Sequence, residues 1–151
     1  MSSSDPVQSY SGMIQAGLPQ VWDALLNSSE FVTPGMRRTA AQQKGVVRFP
    51  ARPAGHHDET SPVPGVNVEI NPDNHTLVIS GQWWFRGTYE LVTVLDGTRL
   101  SYRVENVASA GSRWLVPLVA RSALQSGGRS QFVERLDAIG VALGCAVSME
   151  P

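Results

Sequence analysis

The sequence predicts an α+β fold: a curved antiparallel sheet of six to seven strands wrapped around a long C-terminal helix, with two short helices after the first strand. Three observations predict it. Apolar residues alternate with polar ones in several separate runs, as in strands with one buried face. Near the end of the chain, the apolar residues recur at helical spacing instead. The length of 151 residues is that of a single domain. Because one face of such a sheet must be covered, we expect the final helix to lie across it.

The N-terminal part of the chain is expected to form a strand and two short helices. Apolar and polar residues alternate over residues 7–16, which predicts the first strand. Pro19 suits the first turn of a helix, and helical spacing of apolar residues follows it. Ser29 and its neighbours can then cap a second short helix. Pro34-Gly35 is expected to end that helix.

Weaker strands and a long loop are predicted in the middle of the chain. Residues 36–52 are interpreted as two weak strands, of which the clearer one covers residues 46–49. Residues 53–64 have the composition of a loop and form the longest irregular stretch. Alternation over residues 66–70 and 76–82 predicts two further strands, joined by an Asn-Pro-Asp-Asn turn.

A β-hairpin is predicted in the second half of the chain. Residues 83–95 alternate, and the alternation continues over residues 98–105. Between them, Asp96-Gly97 is a sequence that tight hairpin turns favour. One face of the hairpin is apolar and aromatic, whereas charged residues on the other face are expected to form a cross-strand ladder in solvent. These charged residues are Arg86, Glu90, Arg103 and Glu105.

A long C-terminal helix is predicted to close the chain. Helical spacing begins after Gly111, with Pro117 at a start or a kink. Residues 127–128, two glycines, are expected to interrupt this region. Apolar residues at three- and four-residue spacing then extend over residues 132–143. Three charged residues are placed off this apolar stripe: Glu134, Arg135 and Asp137.

Composition excludes several classes of function. Thirteen acidic against twelve basic residues give a net charge of -1, whereas a dedicated nucleic-acid binder needs a surplus of Arg and Lys. The bases are almost all Arg, with Lys44 the only lysine, and they form no polybasic membrane anchor. No apolar run approaches the roughly 18 residues of a membrane span, so no integral membrane association is expected. The sequence shows no secretion signal, and its one cysteine is Cys145, so we expect a cytoplasmic protein without an intrachain disulfide.

One structural domain is predicted over residues 7–146, between an N-terminal tail at residues 1–6 and a C-terminal tail at residues 147–151. The loop histidines, His56 and His57, are adjacent, whereas metal sites prefer spaced ligands. No metal site and no cofactor are therefore predicted.

Four segments, taken in chain order, carry a resemblance to a known family. They are Pro19-Gln20-Val21-Trp22-Asp23-Ala24-Leu25 after the opening strand, Gly87-Thr88-Tyr89-Glu90-Leu91, the hairpin Asp96-Gly97-Thr98-Arg99-Leu100-Ser101-Tyr102, and Phe132-Val133-Glu134-Arg135-Leu136. With these, residues 7–144 resemble the SRPBCC superfamily, also called START-like or helix-grip proteins, and most closely its bacterial polyketide cyclase/dehydrase and lipid-transport group. The resemblance implies a cavity under the last helix, where family members bind or act on lipids, sterols and polyketides. It implies no universal catalytic residue.

The inner face of the predicted sheet is rich in aromatic residues. Aromatic rings offer apolar area, and tyrosines add hydroxyl groups that can orient a ligand. We therefore expect a pocket in which the protein binds, transports or sequesters a small hydrophobic, lipid-like or polycyclic molecule. The last helix would cover this pocket, and an arginine would reach into it to hold a ligand carboxylate. The predicted ligand-binding residues are Trp83, Phe85, Tyr89, Tyr102, Tyr10, Leu136, Ile139 and Arg48.

Two other functions stay open. A polyketide aromatase/cyclase or dehydratase would use the same pocket to fold a reactive chain, with Tyr89, Tyr102 or His57 moving a proton. The sequence offers no nucleophile motif and no acid–base pair that favours this enzyme. A protein-partner module on the same fold would instead present an exposed apolar patch.

Overall fold

The architecture is an antiparallel sheet whose inner face packs against helices. The computed structural model describes residues 6–29, 31–43, 45–49, 66–81, 85–106 and 116–150. In chain order the elements are β1 (Pro6–Ile14), α1 (Leu18–Ser28), α2 (Pro34–Gln42), β2 (Val47–Phe49), β3 (Val66–Asn71), β4 (Thr76–Gly81), β5 (Phe85–Val94), β6 (Gly97–Asn106), α3 (Val116–Leu143) and β7 (Val147–Met149). Within the described residues, seven strands form one sheet in the order β2-β3-β4-β5-β6-β1-β7, and every neighbouring pair is antiparallel. The α+β class and the C-terminal helix are thereby confirmed.

Two short helices follow β1, but the second begins where the sequence placed its end. Thr33 precedes α2, and its Oγ1 accepts a hydrogen bond from the Met36 N–H at 3.1 Å, which makes it the N-cap. Pro34 occupies the first turn, where its missing N–H leaves no hydrogen bond unmade. The prediction that Pro34-Gly35 ends a helix was therefore wrong. Residues 36–42 are helical rather than a weak strand, because a cap directly before a proline makes that proline a helix start.

The predicted hairpin of β5 and β6 is present, with its turn one residue earlier than expected. The two strands pair as far as Val94 and Gly97, so the turn residues are Leu95 and Asp96. Gly97 has a φ of 147°, and a Cβ atom there would collide with the carbonyl oxygen of Ile14. The close approach of the end of β1 therefore requires glycine at this position.

Helix α3 is longer and more continuous than expected. Pro117 is its second residue, so this proline marks a start. The helix passes through residues 127–128 without a break, and the predicted interruption there was wrong. Glycine costs about 1 kcal/mol relative to alanine within a helix, but packing of an apolar face against the rest of the protein commonly outweighs propensity.

A seventh strand follows α3 in place of the predicted C-terminal tail. Gly144, with a φ of 62°, lies at the end of the helix and turns the chain back. Residues 147–149 then pair with β1 as strand β7. Val147 and Met149 alternate with a polar residue and pack against the core, which gives the short strand one apolar face.

The core lies between the inner face of the sheet and the helices. Three residues of α3 are at most 1% exposed there: Phe132, Leu136 and Ile139. A Cβ atom at Gly12 of β1 would lie 2.7 Å from Leu136 Cδ2, and one at Gly140 would lie 2.8 Å from Val147 Cγ1. The two glycines therefore let α3 approach β1 and β7 closely.

Candidate functional site

Three tyrosines form a row across the centre of the sheet. The strand register places Tyr10 of β1 opposite Tyr102 of β6, and Tyr102 opposite Tyr89 of β5. Alternation along each strand directs all three side chains to the inner face. The rings of Tyr89 and Tyr102 stack with centroids 4.4 Å apart and planes inclined by 25°. We call these three residues the tyrosine row.

Phe132 of α3 lies over one side of the tyrosine row. Its ring centroid is 5.8 Å from that of Tyr10 and 6.4 Å from that of Tyr102, with near-parallel planes in both pairs. Such offset stacking contributes beyond the area that it buries. The helix and three neighbouring strands therefore meet in one aromatic cluster.

Arg135 brings a positive charge to the same cluster. Its guanidinium carbon is 5.6 Å from the ring centroid of Tyr89, on the face of the ring. Its Nη1 donates a hydrogen bond of 2.7 Å to the Ser28 carbonyl oxygen and lies 3.3 Å from Ser28 Oγ. Arg135 was predicted to lie off the apolar stripe, so its place in this cluster was not expected. Its spacing was the available signal, because it lies three residues after Phe132 and four before Ile139, on the same helical face.

The environment of Tyr102 keeps its hydroxyl protonated. Burial is the largest cause and raises the pKa of Tyr102 well above its usual range, and the neighbouring phenols of Tyr89 and Tyr10 raise it further. The charge of Arg135 acts in the opposite direction on this pKa. The Tyr102 hydroxyl, which is a hydrogen-bond donor as well as an acceptor at neutral pH, therefore stays protonated further into alkaline solution than an exposed phenol does.

The structure brings some of the predicted ligand-binding residues together. Tyr10, Tyr89 and Tyr102 meet in the tyrosine row, as described above. Leu136 and Ile139 are 1% and 0% exposed, which makes them part of the packed contact between α3 and the sheet. Trp83 and the side chain of Phe85, two further predicted ligand-binding groups, lie outside the described residues. The loop histidines His56 and His57 lie outside them as well.

Arg48 lies away from the tyrosine row, contrary to the expectation that it reaches inward. Its side chain is 75% exposed on the outer face of β2, and its Nε is 2.8 Å from Glu69 Oε1 of β3. Its neighbours Val47 and Phe49 are both buried. Adjacent residues of a strand face opposite sides, so the burial of Phe49 directs Arg48 to solvent.

The outer face of the sheet carries the predicted charges of the hairpin. Arg86, Glu90 and Arg103 are exposed there. The contact that forms runs along β6, where Arg103 Nε is 3.3 Å from Glu105 Oε1. An exposed ion pair of this kind contributes little to stability.

Two open grooves lie among the described residues, and the tyrosine row lines neither of them. One, of about 320 Å³, lies between α1 and α2 and is lined by Asp23, Leu26, Asn27, Pro34, Arg37 and Arg38. The other, of about 240 Å³, lies on the outer face of the sheet and is lined by Arg48, Phe49, Asn67, Val68, Glu69, Val78, Ser80 and Arg86.

Among the described residues, no three His, Cys, Asp or Glu side chains converge as metal ligands would. None of the helices within the described ranges combines the length and apolar composition that crossing a bilayer requires.

The chain matches no protein-family model, no curated protein sequence and no solved structure. The candidate site is therefore defined by its own side chains: three phenols in register, a phenylalanine above them and a guanidinium beside them.

Proposed function

We propose that this chain is a helix-grip protein of the SRPBCC type that binds a small hydrophobic, lipid-like or polycyclic molecule beneath α3. It would act as a cytoplasmic binding protein that transports or sequesters this molecule. The observation that carries the proposal is the tyrosine row, which presents three phenols on the inner face of the sheet under Phe132.

The chemistry of the tyrosine row suits recognition better than core packing alone. Aromatic rings bury large apolar areas, and their flat faces match planar or chain-like molecules. Three phenols side by side place hydroxyl groups next to apolar rings, and such polar groups fix the orientation of a ligand in an apolar pocket. Tyr102, protonated at neutral pH, can donate to an acceptor oxygen of a bound molecule.

The arrangement of the elements supports the helix-grip part of the proposal. Helix α3 contacts β1, β6 and β7, and β1 lies between β6 and β7 in the sheet. Helices α1 and α2 stand between β1 and β2 in the chain, and these two strands lie far apart in the sheet order. Helix α1 contacts α3, β5 and β6 as well, so α1 and α3 pack on the same face of the sheet.

The proposal is tested by titrating the protein with laurate, 1-dodecanol and the flavonoid naringenin while recording amide chemical shifts. We expect saturable shifts at Tyr89, Tyr102 and Phe132 with at least one of the three. Tyr102→Leu, which keeps apolar volume but removes the phenol, should weaken binding about tenfold or more. Glu90→Gln, on the exposed outer face of the neighbouring strand, should leave binding unchanged. Absence of saturable shifts at millimolar concentration of all three compounds would contradict the proposal.

A further inference from the structure

The groove between α1 and α2 is formed by two matching helical faces. Each wall takes three residues at positions i, i+3 and i+4, a spacing that places side chains on one face of a helix. The α1 wall has Asp23, Leu26 and Asn27, and the α2 wall has Pro34, Arg37 and Arg38. A carboxylate therefore lies on one wall of the groove and two guanidinium groups lie on the other.

Contacts with different parts of the fold hold the two walls in place. Helix α1 packs against α3, β5 and β6, whereas α2 packs against the edge strand β2. Leu26 of the α1 wall is buried, and Met36 and Ala40 bury the opposite face of α2 in the core. Because each helix has its own core contacts, the two walls are positioned before a ligand binds, which lowers the entropy cost of binding.

The charges on the two walls are not paired with each other. Asp23 is the only charged residue of α1, and Arg37 and Arg38 are the only charged residues of α2. Neither helix can therefore form an internal ion pair at i,i+4 spacing. Within the part of the chain that the structure describes, the four polar side chains of the groove, which include Asn27, form no hydrogen bond and no ion pair. A molecule placed between the walls can thus contact charges of both signs.

The composition of the groove determines the kind of molecule that fits it. Arg37 and Arg38 can donate hydrogen bonds to a carboxylate, and Asp23 can accept them from an ammonium group. Leu26 and Pro34 add apolar surface to the two walls. The volume of about 320 Å³ is near the lower end of the range for small-molecule sites, about 300–1,000 Å³. A ligand with a single charge would leave the opposite charge of the groove without a partner.

We infer that this groove binds a small zwitterion, namely an amino acid or a dipeptide with an apolar side chain. The ligand carboxylate binds Arg37 and Arg38, and the ligand ammonium group binds Asp23. The apolar side chain of the ligand lies against Leu26. An exposed ion pair contributes little by itself, so recognition depends on contacts with both signs of charge at once. The inference is independent of the proposed function, because the groove and the tyrosine row share no residue.

Leucine, leucyl-leucine, isocaproate and isoamylamine test this inference. Isocaproate is leucine without its amino group, and isoamylamine is leucine without its carboxylate, so the three share one apolar chain and differ in charge. We expect leucine or leucyl-leucine to bind the wild-type protein at least about threefold more tightly than either singly charged analogue, as measured by titration of amide chemical shifts. The largest shifts should lie at the residues of the groove.

Substitutions on each wall should remove one half of the recognition. Asp23→Asn should lower the affinity for the zwitterion to about that of isocaproate, and its unchanged affinity for isocaproate shows that the variant is folded. Arg37→Gln combined with Arg38→Gln should lower it to about that of isoamylamine, whose own affinity should be unchanged. Asp137→Asn and Arg129→Gln are the matched controls, because they remove exposed charges of both signs from α3 and should leave binding unchanged.

The outcomes separate this inference from the proposed function. Equal affinity of the wild-type protein for the zwitterions and isocaproate overturns the inference, because the groove then recognises an anion alone. Absence of saturable shifts at the groove with both zwitterions at millimolar concentration overturns the site. A preference for the zwitterion that survives the substitutions on both walls overturns its assignment to this groove. Tyr102→Leu, a change in the tyrosine row, should leave zwitterion binding unchanged, so either proposal can fail alone.

Discussion

The inner face of the sheet has two halves that differ in chemistry. The buried side chains described on β2, β3 and β4 are all hydrocarbon: Val47, Phe49, Val68, Ile70, Leu77 and Ile79. On β5, β6 and β1, the same alternation brings the tyrosine row into register beneath Phe132 and Arg135. Hydrocarbon packing stabilises a fold but cannot orient a polar group, whereas buried phenols and a guanidinium can orient one at a cost in stability. We therefore expect the hydrocarbon half to maintain the fold and the tyrosine half to recognise the ligand.

The largest effect is expected from opening a hole in the hydrocarbon half. Ile70 is fully buried, so Ile70→Ala should lower the free energy of unfolding by about 2–5 kcal/mol, as measured by urea denaturation. Val92→Ala is the control, because Val92 is 45% exposed and should change stability by about 0.5 kcal/mol or less. Laurate affinity of the folded Ile70→Ala protein should stay that of the wild type. Loss of affinity without loss of stability would show that the two halves do not divide their roles.

A smaller effect is expected where α3 approaches the sheet. In Gly12→Ala the new methyl group meets Leu136 at 2.7 Å and the Ser148 carbonyl oxygen at 3.1 Å, so unfolding free energy should fall by about 1–3 kcal/mol. Gly35→Ala is the matched control, since its Cβ would make only ordinary contacts at 3.8 and 3.9 Å. It lies in the first turn of α2 and should be neutral or stabilising by up to about 1 kcal/mol. Equal melting temperatures for the two variants would contradict the close approach of α3 to β1.

The smallest effect at neutral pH is expected within the tyrosine row. Tyr102→Phe should change stability by only about 1 kcal/mol at neutral pH. The difference appears in alkali, because burial raises the pKa of Tyr102 in the folded protein above its unfolded value of about 10. The stability of the wild type is then complete below that pH and is lost as pH rises through about 10 toward the folded value, by at most about 1.4 kcal/mol per pH unit from this group. Tyr102→Phe should fall less steeply, as followed by urea denaturation at increasing pH. Parallel pH profiles would show that Tyr102 is not shielded from solvent.

The faces of the tyrosines were predictable from the sequence, but their alignment was not. Alternation alone assigns Tyr89 and Tyr102 to the inner face. Their pairing depends on register, which the turn sets. A two-residue turn at Asp96-Gly97 would place Tyr89 opposite Val104, whereas the turn at Leu95-Asp96 places it opposite Tyr102. The Asp-Gly pair correctly predicted a hairpin, but the register predicted from it was wrong. Glycine is required at position 97 because the end of β1 lies close to it, and not because Gly97 is a turn residue.

The two arginines show how charge can mislead a sequence interpretation. Arg48 was expected inside because of its aromatic neighbour, yet the burial of Phe49 requires the opposite orientation. Arg135 was expected outside because it is charged, although its spacing from Phe132 and Ile139 indicates the buried face. The hydrogen bond to Ser28 that fixes Arg135 depends on how α1 and α3 pack, and nothing local in the sequence reports that packing.

Because β1 lies between β6 and β7 in the sheet, the tyrosine row can form only late in the synthesis of the chain. β1 is among the first elements synthesised, yet Tyr10 pairs with Tyr102 and Gly12 pairs with Met149. Contacts between residues so far apart in the sequence form slowly, because closing the long loop between them costs conformational entropy before the contacts can stabilise the structure. A nascent chain that still lacks β6 and β7 can form local helices and the β3–β4 pair, but it cannot contain the tyrosine row. The tyrosine row can therefore assemble only after β6 has been synthesised and has paired with β1 and β5.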